Sequence, residues 1–405
     1  MHINNFSLLL KQYINESQYN VVTLSKLTNI SRSSIQKFMS GIQIPKNYET
    51  IEKLIQFLPL SIIQKDELKK AYMIEQVGYL NYQKMTVLKE FIQSFNTYPS
   101  SSFNYNLSYK FNKINKFAHN PEELKLMLHF IIEDALNHSK QIKILMNADN
   151  PLFEIIYQYA KNYPDLVIKQ IVNFKNLGND VTSSNLEQLE KLLPLLLLKN
   201  KTSIKYIYGK ENNPNHYSIF PYSIASDNYI ILINSDYTLG MLINENQKYL
   251  INEFNKKNKL AKKLIYKSKN KTNYINTFLN TLTNQKNTNF QIFSHISLIY
   301  TYLKIFNQNQ SSYKNKLNEF LQNNHLTLYL TSDQNTDKKS FTHILTNDHF
   351  NIHIINKNKI NFPDDLLILN TQTSLILIFK NINITIYENT ICQDFQLLDK
   401  LFISE

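Results

Sequence analysis

Residues 21–45 read VVTLSKLTNISRSSIQKFMSGIQIP, and this stretch decides how the N-terminal part of the chain is understood. Asn20 stands just before it as an N-cap, so a helix is expected from Val21. Ser31 is a second N-cap, and Gly41 suits the position just past a helix end, so another short helix is expected between them. Pro45 and Asn47 make a turn. Upstream, Phe6, Leu9, Leu10, Tyr13 and Ile14 recur at the spacing of a single helical stripe. Downstream, Ile51, Leu54, Ile55 and Leu58 form another stripe, ended by Pro59. Residues 1–62 thus read as five short helices.

In this order of caps, turns and apolar positions, residues 1–62 resemble the DNA-binding domains of Cro-type phage repressors, the xenobiotic-response-element (XRE) family of helix-turn-helix regulators. The resemblance covers 62 of 405 residues. It implies that Leu24 faces inward, with Ser25 at the close helix crossing in place of the usual alanine. It implies a left-handed turn at Asn29, where glycine is usual. Ile30, Ile35 and Phe38 would be core, Ser31 would cap the second helix, and Gly41 and Pro45 would lead out of it. The family's second helix lies in the major groove of double-stranded DNA. On that pattern Arg32, Ser33, Gln36 and Lys37 face outward, with Ser31 at the tip. Arginine can bond guanine bidentately and glutamine adenine, while serine and lysine hold phosphates. Arg32 is the sole arginine; every other member of the 44 Lys and Arg is lysine, which lacks the planar fork that reads guanine.

A chain of this length predicts two or three domains. Hydrophobic residues at 43% and charged residues at 19% suit folded domains with cores. The single cysteine, Cys392, excludes an internal disulfide framework and a multi-cysteine zinc site. A net charge of +12 favours a polyanionic partner, although a Lys-, Asn- and Ile-rich composition produces part of it. The N-terminus lacks the pattern of a secretory leader, and the run Leu192–Leu198 is too short to span a bilayer. A cytoplasmic protein without a membrane partner is expected.

The expected organisation is multidomain: an all-α helix-turn-helix domain over 1–62, a helical connector and linker over 63–120, and two α/β lobes over 121–265 and 266–405. Gly78 breaks the connector helices. The region from Asn96 to about Asn120 reads as linker. Strands at 142–146 and 166–172 flank a helix from Pro151, a βαβ unit that predicts parallel pairing. Further strands are expected at 203–208, 230–233 and 239–243, then a helix from Glu245 to about Leu264. The lysines of 256–271 read as a helix end and linker. Helices near 273–284, 290–307 and 312–323 precede strands at 326–331, 350–355, 366–369, 374–379 and 382–387, and one helix closes the chain over 393–402. Phe220-Pro221 before IILI (230–233) and Phe362-Pro363 before LILI (375–378) suggest that the lobes are diverged copies.

Other chemistry finds little support. The five glycines form no phosphate-cradling loop, and no HExxH motif occurs. His138-Ser139-Lys140 matches the start of a phospholipase-D-type motif, but Leu145 stands where its aspartate belongs. His343, His349 and His353 read as solvent-facing, and Asp149, Asp165, Asp236 and Glu245 form no evident dyad. The sequence therefore reads as a non-enzymatic, sequence-specific transcriptional regulator with no cofactor or metal. Its expected partners are double-stranded DNA, a second copy in a homodimer, and a small-molecule or peptide effector. The rival readings are an enzyme targeted to DNA by its head, and a phage or mobile-element regulator whose lobes bind a protein partner.

Overall fold

The computed structural model describes residues 5–96, 115–175, 184–209, 219–245, 247–269, 290–299, 326–332, 350–356, 360, 362–371, 374–379 and 382–404. An N-terminal helical region is followed by a mixed region of helices and two sheets. The chain forms two compact units, Met1–Val87 with Leu397–Glu405, and Leu88–Gln396.

The first unit contains α1 (Asn5–Glu16), α2 (Val21–Thr28), α3 (Arg32–Met39), α4 (Tyr48–Phe57) and α5 (Ile62–Val77). Residues 5–61 thus hold four helices, not five, and α5 starts where the first domain was expected to stop. The reason is the core. Leu68, Ala71 and Tyr72 of α5 are buried with Phe6, Leu10, Leu24, Ile35 and Leu54 in one cluster. Phe6 and Tyr72 meet edge to face at 5.7 Å. Ser61 starts α5 with a capping box: its Oγ accepts from Gln64 N at 3.2 Å, and Gln64 Oε1 accepts from Ser61 N at 2.9 Å. Gly78, at φ 84°, separates α5 from α6 (Tyr79–Ser94), a conformation that side chains with a Cβ resist.

In the second unit the first sheet comprises β1 (Phe117–Ala118), β2 (Gln141–Leu145), β3 (Val167–Lys175), β4 (Thr202–Gly209), β5 (Tyr222–Ala225), β6 (Ile230–Ile233), β7 (Gly240–Ile243) and β8 (Lys262–Lys263). Its order is β1-β7-β6-β5-β2-β3-β4-β8. The expected parallel unit is present: β2 and β3 pair in parallel, joined through α8 (Phe153–Asn162), and β4 extends them in parallel beyond α9 (Ser184–Leu197). On one face Leu124 of α7 (Pro121–Asn137) lies against Gly240, where a Cβ would collide with it. On the other, Phe254 of α10 (Gln247–Leu260) and Ala261 pack against Leu145 and Ile171. Alternation along each strand separates these two layers.

The second sheet comprises β9 (Ile265–Lys269), β10 (Phe290–His295), β11 (Leu326–Ser332), β12 (Phe350–Asn356), β13 (Leu367–Asn370), β14 (Leu375–Ile378) and β15 (Ile382–Ile386), in the order β12-β11-β10-β13-β14-β15-β9. This repeats the wiring of the first. In each, three parallel strands (β2-β3-β4; β10-β11-β12) adjoin three antiparallel ones (β5-β6-β7; β13-β14-β15). The strand that opens each lobe, β1 or β9, then pairs antiparallel with the last of these. The lobes are therefore two copies of one topology. Glu388 joins them: buried at the start of α11 (Asn389–Phe395), it accepts a hydrogen bond from Tyr208 Oη at 2.5 Å.

Several expectations fail here. Residues 290–295 are strand, not helix, and the lysine-rich stretch expected as linker contains β8 and β9. The linker before residue 120 holds β1, and the C-terminal helix is two, α11 and α12 (Leu398–Ser404). The expected helices over 273–284 and 312–323 lie outside the described residues.

Candidate nucleic-acid interface

The stretch from Val21 to Gly41 is held by local hydrogen bonds. Asn20 Oδ1 accepts from Thr23 N at 2.9 Å and opens α2. Asn29 closes it in the left-handed conformation, φ 58° and ψ 24°. The turn is pinned by Ser25 Oγ, which donates to Ile30 O at 2.7 Å. Thr28 Oγ1 donates to Leu24 O at 2.7 Å and accepts from Ile30 N at 3.3 Å. Ser31, at φ −62° and ψ 145°, starts α3 by accepting from Ser34 N at 3.2 Å. Gly41, at φ 74°, lies just past its end. Leu24 and Ile35 are fully buried and Phe38 nearly so, which fixes the rotation of α3 about its axis.

That rotation leaves Arg32, Ser33, Gln36 and Lys37 exposed, together with Ser31 at the tip. Their helical spacing puts them on the side away from Ile35 and Phe38. Ser33 Oγ lies 3.1 Å from Ser31 Oγ, so it is drawn towards the cap. The Arg32 guanidinium, the Gln36 amide and the Lys37 ammonium make no hydrogen bond or ion pair with any described residue. Residues 17–48 carry Lys26, Arg32, Lys37 and Lys46 and no acidic side chain. The next acid along the chain, Glu49, is paired with Lys53 at 2.7 Å, and that hydrogen bond holds its carboxyl below the usual range. The face thus offers a planar cation, an amide and a point cation on one side of α3, at its Ser31-capped N-terminus.

Reading the residues alone missed part of the support for this face. Ser25 was expected as a small residue at a crossing, yet its hydroxyl is an active tie, and Thr28 was not singled out at all. A buried threonine four residues after Leu24, at a helix end, was the available signal.

The other candidates form no comparable arrangement. His343 and His349 lie outside the described residues, while His353 is exposed on β12 and stacked on Tyr329 at 5.0 Å. His138 ends α7 with Nδ1 2.7 Å from Asp134 O, and Lys140 reaches Asp165 at 3.4 Å across an exposed turn. Lys256 is paired with Glu253 at 2.6 Å. Among the described residues no three His, Cys, Asp or Glu side chains gather as metal ligands, and no helix is long and apolar enough to cross a membrane.

No protein-family model and no curated protein matches the chain. Among solved structures it is similar to TrmBL2, an archaeal chromatin protein described as showing a novel mode of DNA binding. That similarity has a TM-score of 0.24 at 9% identity, over 43% of this chain and 73% of the other, too low to bear on fold or function.

Proposed function

We propose that α2, the turn and α3 form a helix-turn-helix of the Cro-type repressor kind, and that the protein is a sequence-specific, DNA-binding transcriptional regulator. The observation that carries this reading is the sole arginine of the chain, exposed at the first turn of α3 without a partner among the described residues, in a segment without acids. In the proposed complex the N-terminal half of α3 enters the major groove. Arg32 donates to O6 and N7 of guanine, Gln36 bonds adenine, and Ser31, Ser33 and Lys37 hold phosphates. A head of this size covers one half-site, so two copies bind half-sites about 34 Å apart. The C-terminal α/β region then serves effector sensing or oligomerisation.

The test is selection of duplexes from a random library by the full chain, followed by binding titrations at two salt concentrations. A selected duplex should lose affinity steeply with salt. Arg32→Ala should weaken it about 5- to 150-fold, the equivalent of ~1–3 kcal/mol for a bidentate base contact, and relax one base position. Lys37→Ala should weaken all sequences alike and lower the salt slope by about 1. Enrichment of no sequence, or wild-type affinity in Arg32→Ala, overturns the reading.

A further inference from the structure

Strand β2 places Lys143 and Leu145 on the sheet face that α10 covers, since Leu145 packs with Phe254 of α10. In register, Lys143 lies beside Ala225 of β5 on one side and Lys169 of β3 on the other. Helix α10 does not fill the space above β2, β5 and β6. A cavity of about 160 Å³ remains there, with Leu232, Ile251 and Phe254 in its apolar lining and Lys143 and Lys257 as its cations. Glu253 also lines it, but its carboxylate is engaged by Lys256.

Lys143 is half-buried and makes no hydrogen bond or ion pair with a described residue. Burial lowers its pKa, Lys169 adds like-charge repulsion, and the Asp227 carboxylate partly offsets both. Two comparisons show that this is not how the fold treats such positions. Lys205 of β4 spends its ammonium on Asn258 O at 2.6 Å, at the end of α10. In the second lobe, where β10 and β13 repeat β2 and β5, the corresponding pair is Gln291 and Asn370, and these hydrogen-bond to each other at 3.3 Å. The first lobe sets an ammonium against alanine, beside a partly apolar cavity, where its copy sets two amides that bond each other. A half-buried cation that makes no hydrogen bond with a described residue, and whose burial the Asp227 carboxylate only partly offsets, carries a cost that a bound anion reduces.

We infer that this cavity is a binding site for a small amphipathic anion, a carboxylate or phosphate ester on an apolar body of aromatic-ring size. Its anionic group lies between Lys143 and Lys257, and its apolar body rests against Leu232, Ile251 and Phe254. A dry cavity of about 150 Å³ admits benzene, which sets the size. The site goes beyond the DNA-binding reading and stands whether or not α3 binds DNA.

Ligand-observed NMR on the full chain tests it, with benzoate, hexanoate and phenyl phosphate as probes and benzamide and benzylammonium as controls. At least one anion should bind saturably, with a dissociation constant on the order of 1 mM or tighter. Benzamide should bind about tenfold more weakly, as loss of a charge-assisted bond implies, and benzylammonium more weakly still. Lys143→Gln, which installs the residue type of the second lobe, should abolish the discrimination in favour of anions. Lys257→Ala, at an exposed position of α10, should weaken anion binding severalfold without touching the sheet, and so serves if the first variant fails to fold. Saturable binding by none of the three anions overturns the site. So does equal binding of benzoate and benzamide, or anion binding unchanged in Lys257→Ala and in a folded Lys143→Gln.

Discussion

Replacing Asn29 isolates the backbone of the turn between α2 and α3. The residue is left-handed, at φ 58° and ψ 24°, its side chain is exposed, and it makes no hydrogen bond with a described residue. Substitutions there change backbone preference and little else. A side chain with a Cβ pays about 1–2 kcal/mol in this conformation, from which asparagine is partly exempt. Asn29→Ala should therefore cost about 1 kcal/mol, and Asn29→Val about 2 kcal/mol, because branching at Cβ tightens the clash. Asn29→Gly removes the steric cost but adds ~0.5–1 kcal/mol of freedom to the unfolded chain, so its net effect is close to zero. The chain has no tryptophan to report locally. Amide hydrogen exchange by mass spectrometry, on peptides spanning residues 20–41, supplies the readout. Since ~1.4 kcal/mol is a factor of ten in an opening equilibrium, Asn29→Ala should exchange several times faster in α2 and α3, and Asn29→Val more than ten times faster. If Asn29→Val exchanges like the parent chain, the turn is not left-handed and the exposed side of α3 is not fixed as described.

Acid should weaken the second unit through His129. Its Nδ1 lies 3.1 Å from Tyr159 Oη, whose hydroxyl donates to Glu133 Oε1 at 2.9 Å, so the proton on Nδ1 points to the phenol oxygen of a neutral ring. Burial lowers its pKa to about 4. The unfolded chain takes up its proton first, near pH ~6.5, so stability is complete above that value and falls as pH drops towards about 4. At ~1.4 kcal/mol per unit, discounted for solvent screening, the loss is about 1–2 kcal/mol, and thermal melts between these limits should show His129→Gln flattening the slope. An unaltered slope refutes this. A second perturbation acts on the tie between the lobes. Glu388 is fully buried and accepts from Tyr208 Oη, from Thr390 Oγ1 at 2.6 Å and from Ile391 N at 2.8 Å. Glu388→Ala should cost about 2–3 kcal/mol by stranding these donors, and an unchanged midpoint in urea unfolding followed by far-UV circular dichroism would count against the linkage.

The helical region was legible because its signals are local. The caps at Asn20 and Ser31 and the stripe from Phe6 to Ile14 each lie within a few residues. The same holds for β2-α8-β3, whose elements follow one another in the chain. Illegible elements depend on distant partners. Strand β9, Ile265–Lys269, reads as a lysine-rich linker until β15, more than a hundred residues on, pairs with it. Strand β10 sits in a run, FQIFSHISLIY, whose apolar residues satisfy both helical and strand periods, and only β11 and β13 decide between them. At the candidate interface, the outward residues followed from the helix period, but that Arg32 has no partner among the described residues did not. Lys143 looks from sequence like any polar residue of an alternating strand, and that Ala225 stands across the sheet from it follows only from the register.

The matched wiring of the two lobes has a consequence for how the protein can change. In an assembly of identical subunits each substitution is made twice, and both halves must bear it. Here both halves are encoded in tandem, so an altered residue in one leaves its counterpart untouched. One half can thus change a residue while the other keeps its own, and the matched positions already differ, Lys143 beside Ala225 in the first lobe and Gln291 beside Asn370 in the second.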